Sequence, residues 1–107
     1  MTQVTIKENS FIAYLASQKL KTSSCAIVIG KTIFLHNCSR ANFISNVVWL
    51  RHELKHIEQY KQEGLLFFIV KYLAYSIRYG YENNPFEIEA KLAEYNEIIT
   101  TKYTCKN

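Results

Sequence analysis

The feature that most limits this chain is His52-Glu53-Leu54-Lys55-His56. In a helix, four residues turn about 400° and rise about 6 Å, so the two histidines stand one turn apart on one face. Moving either by one residue would split the pair. Two imidazoles so placed can bind one tetrahedral Zn²⁺ and leave positions for a further ligand and a water. Glu53 is rotated about 100° from His52, where it can take a proton from that water without being a ligand.

The helix that carries them is expected to run from about Asn42 to Gln62 and to end at Gly64. Counted around the helix, Phe43, Leu50, Leu54 and Ile57 form a core stripe, and Arg51, Lys55, Glu58 and Gln62 form a solvated face. His52 and His56 fall on a third arc with Ser45, Trp49 and Tyr60, where another element can cover them. A surface pair without function is the bland alternative, but the position of the histidines off the charged arc favours a site.

At 107 residues the chain is expected to be a single domain spanning 1–107, with a core of its own and no room for a second lobe. Its thirteen basic residues are scattered rather than clustered, so despite a net charge of +4 no nucleic-acid partner is expected. All nine carboxylate side chains are Glu. That bears on the site, because Asp often holds a zinc-binding His from behind. Cys25, Cys38 and Cys105 are odd in number and widely spaced, which points to reduced thiols in a cytoplasm. A Cys25–Cys38 bridge is the lesser alternative. Residues 1–8 lack the basic start and apolar run of a secretory signal.

Asn9 or Ser10 can cap a first helix, with Phe11, Ile12, Leu15 and Leu20 as its apolar stripe. The runs Cys25 to Ile29 and Thr32 to Leu35 flank Gly30-Lys31 and predict a β-hairpin with a two-residue turn. Leu65 to Tyr79 predicts a third helix, apolar nearly all round and therefore expected to be buried. Attachment to a membrane surface through Phe67, Phe68 and the nearby tyrosines is the minor reading; its apolar stretch is too short to span a bilayer. Asn84 and Pro85 suit the cap and first turn of a last helix running to about Thr100. The tail from Thr101 to Asn107 is expected to fray.

Candidates for a third ligand lie in that last helix. Glu87 and Glu89 are about 200° apart around it, so only one can face the histidines, and counting faces does not choose between them. Two solvated glutamates stabilising a helix N-terminus are the plain alternative. His36, in a loop, is a lesser candidate ligand.

His52-Glu53-Leu54-Lys55-His56, followed by the helical Glu87-Ile88-Glu89-Ala90, resembles the gluzincin group of zinc metallopeptidases. There, two His and a later Glu in Glu-x-x-Ala/Ser-Asp bind zinc, and the Glu inside the first motif is the general base. The resemblance implies Glu87 as the third ligand and Glu53 as the base; Lys91 stands where those families have Asp. Gln59 and Gln62 replace the Gly and His of the metzincin extension. From Cys25 to Glu94 the chain also resembles small bacterial metallopeptidase-like domains of unknown function, among them those of contractile-injection-system proteins. These share a hairpin ahead of a His-Glu-Leu-x-His helix followed by Gln59.

The expected fold is α+β, a small β-hairpin or sheet packed on a helical bundle, which the resemblance makes a minimal zincin-like domain. The expected function is a zinc-dependent peptidase acting on a peptide or protein, with Zn held by His52, His56 and Glu87. A non-catalytic module of the same shape, with or without metal, is the alternative, favoured by the short chain and by Lys91. Tyr72, Tyr75, Tyr79, Tyr81 and His36 are the candidate donors to a developing oxyanion.

Overall fold

The computed structural model describes residues 2–106. Strand β1 (Thr2–Lys7) is followed by helix α1 (Phe11–Leu20) and by the hairpin of β2 (Cys25–Ile29) and β3 (Thr32–His36). Helices α2 (Arg40–Ser45), α3 (Val47–Glu63), α4 (Leu65–Tyr79) and α5 (Pro85–Ala93) come next. A 3₁₀ turn (Ile99–Lys102) and β4 (Tyr103–Lys106) complete the chain. The architecture is α+β.

The sheet has the order β2-β3-β1-β4. The hairpin pairs antiparallel, with Ile29 opposite Thr32 across Gly30-Lys31, as the sequence predicts. β1 runs parallel to both of its neighbours, with Ile6 opposite Ile33 on one side and Val4 opposite Cys105 on the other. The tail expected to fray is therefore an edge strand up to Lys106; Asn107 lies outside the described residues. Alternation in β1 buries Val4 and Ile6, which join Ile33 and Leu35 in the core against Phe43, Leu54, Ile57 and Ile99. Pairing between strands about a hundred residues apart has no local signature, because neither strand has a turn that points to its partner.

Four helix expectations are corrected, the last of them in α4. The single helix from Asn42 to Gln62 is two helices, broken at Asn46. The Asn46 side chain accepts from the Trp49 amide at 3.2 Å, while its own N–H donates to the carbonyls that end α2. An Asn competes with helix backbone in this way and favours such a joint. It lets the Trp49 ring meet the fully buried Phe43 edge-on at 5.0 Å. In α1, capped by Ser10, the buried residues are Ala13 and Ser17; Phe11, Ile12, Leu15 and Leu20 are exposed. Small residues let that helix lie close on the hairpin, and they set which face turns inward. The last helix ends at Ala93 rather than near Thr100.

α4 spans Leu65–Tyr79 as expected because glycines bracket it. Gly64 (φ 87, ψ 150) and Gly80 (φ 84, ψ 166) adopt backbone conformations essentially closed to side-chain-bearing residues. Its expected burial is wrong: Phe68 is its one buried residue. α5 is tied to α4 by Asn84, which is fully buried. Its side chain accepts from the Phe86 amide at 2.9 Å and donates to the Tyr72 carbonyl at 3.0 Å and to Ser76 Oγ at 2.9 Å. With Pro85 in the first turn, this cap sets the direction in which Glu87 leaves the helix.

Candidate metal centre

α3 and α5 pack side by side, and their facing side chains make one cluster. Nε2 of His52 lies 3.0 Å from Glu87 Oε1, and Nε2 of His56 lies 3.2 Å from Glu87 Oε2. The two imidazoles meet edge to face, with centroids 5.1 Å apart. One donor atom from each of the three residues lies within 4.8 Å of the others. Glu89 points elsewhere, as the 200° separation requires of one of the two. Its carboxylate accepts from Gln59 Nε2 at 2.9 Å and sits 3.8 Å from Lys55 Nζ.

The other ring nitrogens are also held. His52 Nδ1 is 2.8 Å from Glu94 Oε2, and His56 Nδ1 is 2.9 Å from Gln59 Oε1. With Nδ1–H donating to these oxygens, loss of the Nε2 proton that each ring donates to Glu87 would leave both Nε2 lone pairs aimed into the cluster. Gln59 is itself fixed, donating to the Phe86 carbonyl at 3.0 Å as well as to Glu89. The Glu94 backbone carbonyl accepts from Arg51 Nη1 at 3.0 Å.

Glu94 and Gln59 had no orienting role in the sequence reading. Lys91, where the resemblance places an orienting Asp, leaves that task to Glu94. Seven residues beyond Glu87, Glu94 returns to the same helical face, so counting two turns onward from Glu87 is the signal that finds it. Gln59 follows His56 by three residues, which puts the two on adjoining turns of one face.

Glu53 is buried and makes no contact with Glu87 of the kind the histidines make. Burial pushes its carboxyl up to about 7, against the pull of the His56 and His52 charges. For His52, burial acts downward, but the hydrogen bond to Glu87 and the charge of Glu53 outweigh it and raise the ring to about 9. His56 moves up for the same reasons. Glu87 goes the other way: burial opposes its ionisation, and hydrogen bonds from His52 and His56 hold it far below the usual carboxylate range. Two buried carboxylates thus require positive charge beside them, which the histidines meet by taking up protons or a divalent cation meets in their place.

The tyrosines separate cleanly. Tyr72 donates its hydroxyl to Glu87 Oε2. Tyr81 lines the space in front of the cluster, and burial together with the Glu87 and Glu53 charges keeps its phenol protonated well above the ordinary range. Tyr75 and Tyr79 meet at a tilt of 46° and do not line that space, and His36 packs edge-on against Tyr14 at 5.1 Å.

That space is a groove of two lobes, about 330 and 400 Å³, lying between β2, α1 and α3. Both lobes are lined by Cys25, Ala26, His52, Glu53 and Tyr81. The first continues past Val28 and Ile29 to Phe68 and Leu73 of α4, and the second past Trp49 to Glu94. The cluster therefore sits where the lobes join, beneath the edge strand of the sheet.

The donor set fits zinc. Two imidazoles and a carboxylate suit this ion, and a tetrahedron with ligands at about 2.0–2.1 Å has donor–donor edges of about 3.3 Å. Glu87 presents one oxygen to each Nε2, Oε1 to His52 at 3.0 Å and Oε2 to His56 at 3.2 Å, and the three donor atoms lie within 4.8 Å of one another. Comparison with family models, with curated proteins and with solved structures gives no match. The geometry of the cluster therefore carries the functional reading by itself.

Proposed function

We propose that this protein is a zinc-dependent, peptidase-like domain in which His52, His56 and Glu87 hold the ion. One observation carries the reading: both histidines present Nε2 to the Glu87 carboxylate while Glu94 and Gln59 occupy their Nδ1 atoms. A set of partners behind each ring is what a ligand histidine needs, and a pair packed only for stability does not need it. When bound, zinc polarises a carbonyl oxygen and lowers the pKa of a water at the site.

The rest of the chemistry belongs to the chain. Glu53, with a carboxyl near neutrality at the junction of the lobes, takes the proton of the attacking water and passes it to the leaving amine. Tyr81, protonated and lining both lobes, donates to the developing oxyanion. The two-lobed groove suits an extended peptide lying across the cluster. The outer edge of β2 supplies backbone groups to align it: the Val28 carbonyl already accepts from Tyr60 Oη at 3.0 Å, and Ala26 turns the same way. Cys25, Cys38 and Cys105 are free thiols, in keeping with a reducing, cytoplasmic compartment.

The test is zinc titration combined with mass-spectrometric mapping of cuts in a peptide mixture, for wild type and Glu53→Gln. One zinc per chain, with cleavage lost in the variant, is expected. Zinc bound without any cleavage would transfer the chain to the non-catalytic reading, and no zinc bound would sink the metal site and leave only the metal-free form of that reading.

A further inference from the structure

The outer face of α4 is built in the opposite sense from an ordinary surface helix. Leu66, Val70, Leu73 and Ile77 recur at spacings of four, three and four, a continuous stripe over three turns. All four are exposed, Ile77 at 88% and Leu66 at 72%, and Phe67 beside them is 69% exposed. Contiguous apolar surface of this kind marks a docking face. The stripe does not stop at the helix. Leu73 also lines the groove, together with Leu20 of α1 and Ile29 of β2, both of which are exposed as well. The apolar face is thus continuous with the mouth of the groove.

Charge decides what covers it. Between Glu8 and Glu53 there is no acidic residue, and there is none between Glu63 and Glu82. Those two stretches contain α1, the hairpin and α4, which border the apolar side of the groove, while its acidic lining, Glu53, Glu87 and Glu94, lies at the cluster. Lys19 and Lys21 stand on either side of Leu20, Lys31 sits at the hairpin turn beyond Ile29, and Lys71 and Arg78 lie on α4; all five are exposed. Lys71 is bonded to Glu63 at 2.6 Å, the one acidic neighbour at the start of the helix. Pairing with a second copy through α4 would bring Lys71 and Arg78 toward their own kind, with Glu63 the one acidic side chain beside them. An anionic lipid surface complements both the apolar stripe and the basic border, with the long Lys and Arg stems reaching up to headgroups. At 15 residues α4 is about 22 Å long, shorter than a bilayer's apolar core, and no helix among the described residues is long and apolar enough to cross one.

We infer that α4 docks the protein in the plane of an anionic membrane surface, with the mouth of the groove facing the lipid. Polypeptide emerging from or lying on that surface is then what reaches the cluster. The docking does not depend on the cluster being catalytic, and its test needs no turnover. Full-length protein is co-sedimented with vesicles of phosphatidylcholine alone and with vesicles of phosphatidylcholine mixed with phosphatidylserine, at low and raised salt. The partition coefficient is expected to be at least about tenfold higher on the mixed vesicles and to fall with salt. Leu66→Ser with Ile77→Ser should lower it at least about tenfold while leaving the circular dichroism spectrum and unfolding midpoint unchanged, since both residues are exposed. Lys21→Glu with Arg78→Glu should lower binding to the mixed vesicles only. No binding, or equal binding to both vesicles, overturns the inference. So does a dimer in sedimentation equilibrium that the double Ser variant abolishes while vesicle binding is absent.

Discussion

α3 and α4 are consecutive helices separated by one glycine, and each inverts the usual rule in the opposite direction. α3 buries Glu53, His56 and Gln59, side chains that ordinarily face water. α4 exposes Leu66, Phe67, Val70, Leu73 and Ile77, side chains that ordinarily face a core. The polar groups inside α3 are supplied with partners from α5: Glu87 for both histidines, Glu94 for His52, and the Phe86 carbonyl and Glu89 for Gln59. The apolar groups outside α4 meet no such partner element among the described residues. Burying a polar network costs little only when its members are satisfied, and His52, His56 and Gln59 find their partners within the chain, while Arg51 Nε stays buried without one. An exposed apolar stripe is stabilised only by something outside the chain, so α4 is one half of a contact.

The sharpest way to break this contrast is at its polar centre. Glu87→Ala should reduce zinc affinity by more than the roughly 100-fold upper range of changes behind a ligand, while Glu89→Ala should stay within that range. Competitive titration against a chelator at one pH measures both, and a larger loss for Glu89→Ala would move the ligand role to it. Glu53→Gln should leave zinc affinity unchanged and lower kcat on any cleaved peptide by about 10²–10⁴-fold, because the amide cannot accept a proton. A parallel fall in zinc content would make Glu53 a ligand instead.

The partners behind the histidines come next. Glu94→Ala and Gln59→Ala should each cost about 10–100-fold in zinc affinity, and Lys91→Ala should cost nothing measurable by the same titration. An effect at Lys91 equal to that at Glu94 would contradict the assignment of the orienting role. The last comparison is between the two sides of α4. Phe68→Ala, at the buried side between Tyr60 and Phe86, should destabilise the fold by about 3–5 kcal/mol in urea unfolding. Ile77→Ser on the outer side should stay within about 0.5 kcal/mol. Comparable losses at both positions would show that the outer face is covered within the protein itself.

Much of the chain was legible from short-range rules. Ser10 and Asn84 cap the helices that their positions announce, and Gly30-Lys31 closes the hairpin. Of the core stripe, Leu50, Leu54 and Ile57 are buried on α3 as counted, and Phe43 is buried too but from α2, across the joint at Asn46. The weakest readings were those of helix faces. The apolar stripe of α1 predicted an inner face, but Ala13 and Ser17 took it, because close approach to the hairpin favours small side chains over large ones. For α4, near-uniform apolarity gives no direction, because it leaves open which side meets the core; Phe68 alone is buried there.

What the sequence determined by itself is what a few adjacent residues can determine: the limits of α4 and of the hairpin strands, caps, the hairpin turn, and the one-turn spacing of His52 and His56. These depend on backbone dihedrals and on bonds spanning three or four residues, and they hold wherever the element is placed. The tertiary structure alone decided which of Glu87 and Glu89 meets the histidines, that Glu94 stands behind His52, and that the two ends of the chain pair as β1 and β4. It also decided that α4 turns its apolar stripe outward. Each of these depends on the direction from which one element approaches another. That direction is set by packing across the whole molecule, by Asn84 joining α5 to α4 and Asn46 splitting α2 from α3, and no local pattern encodes it.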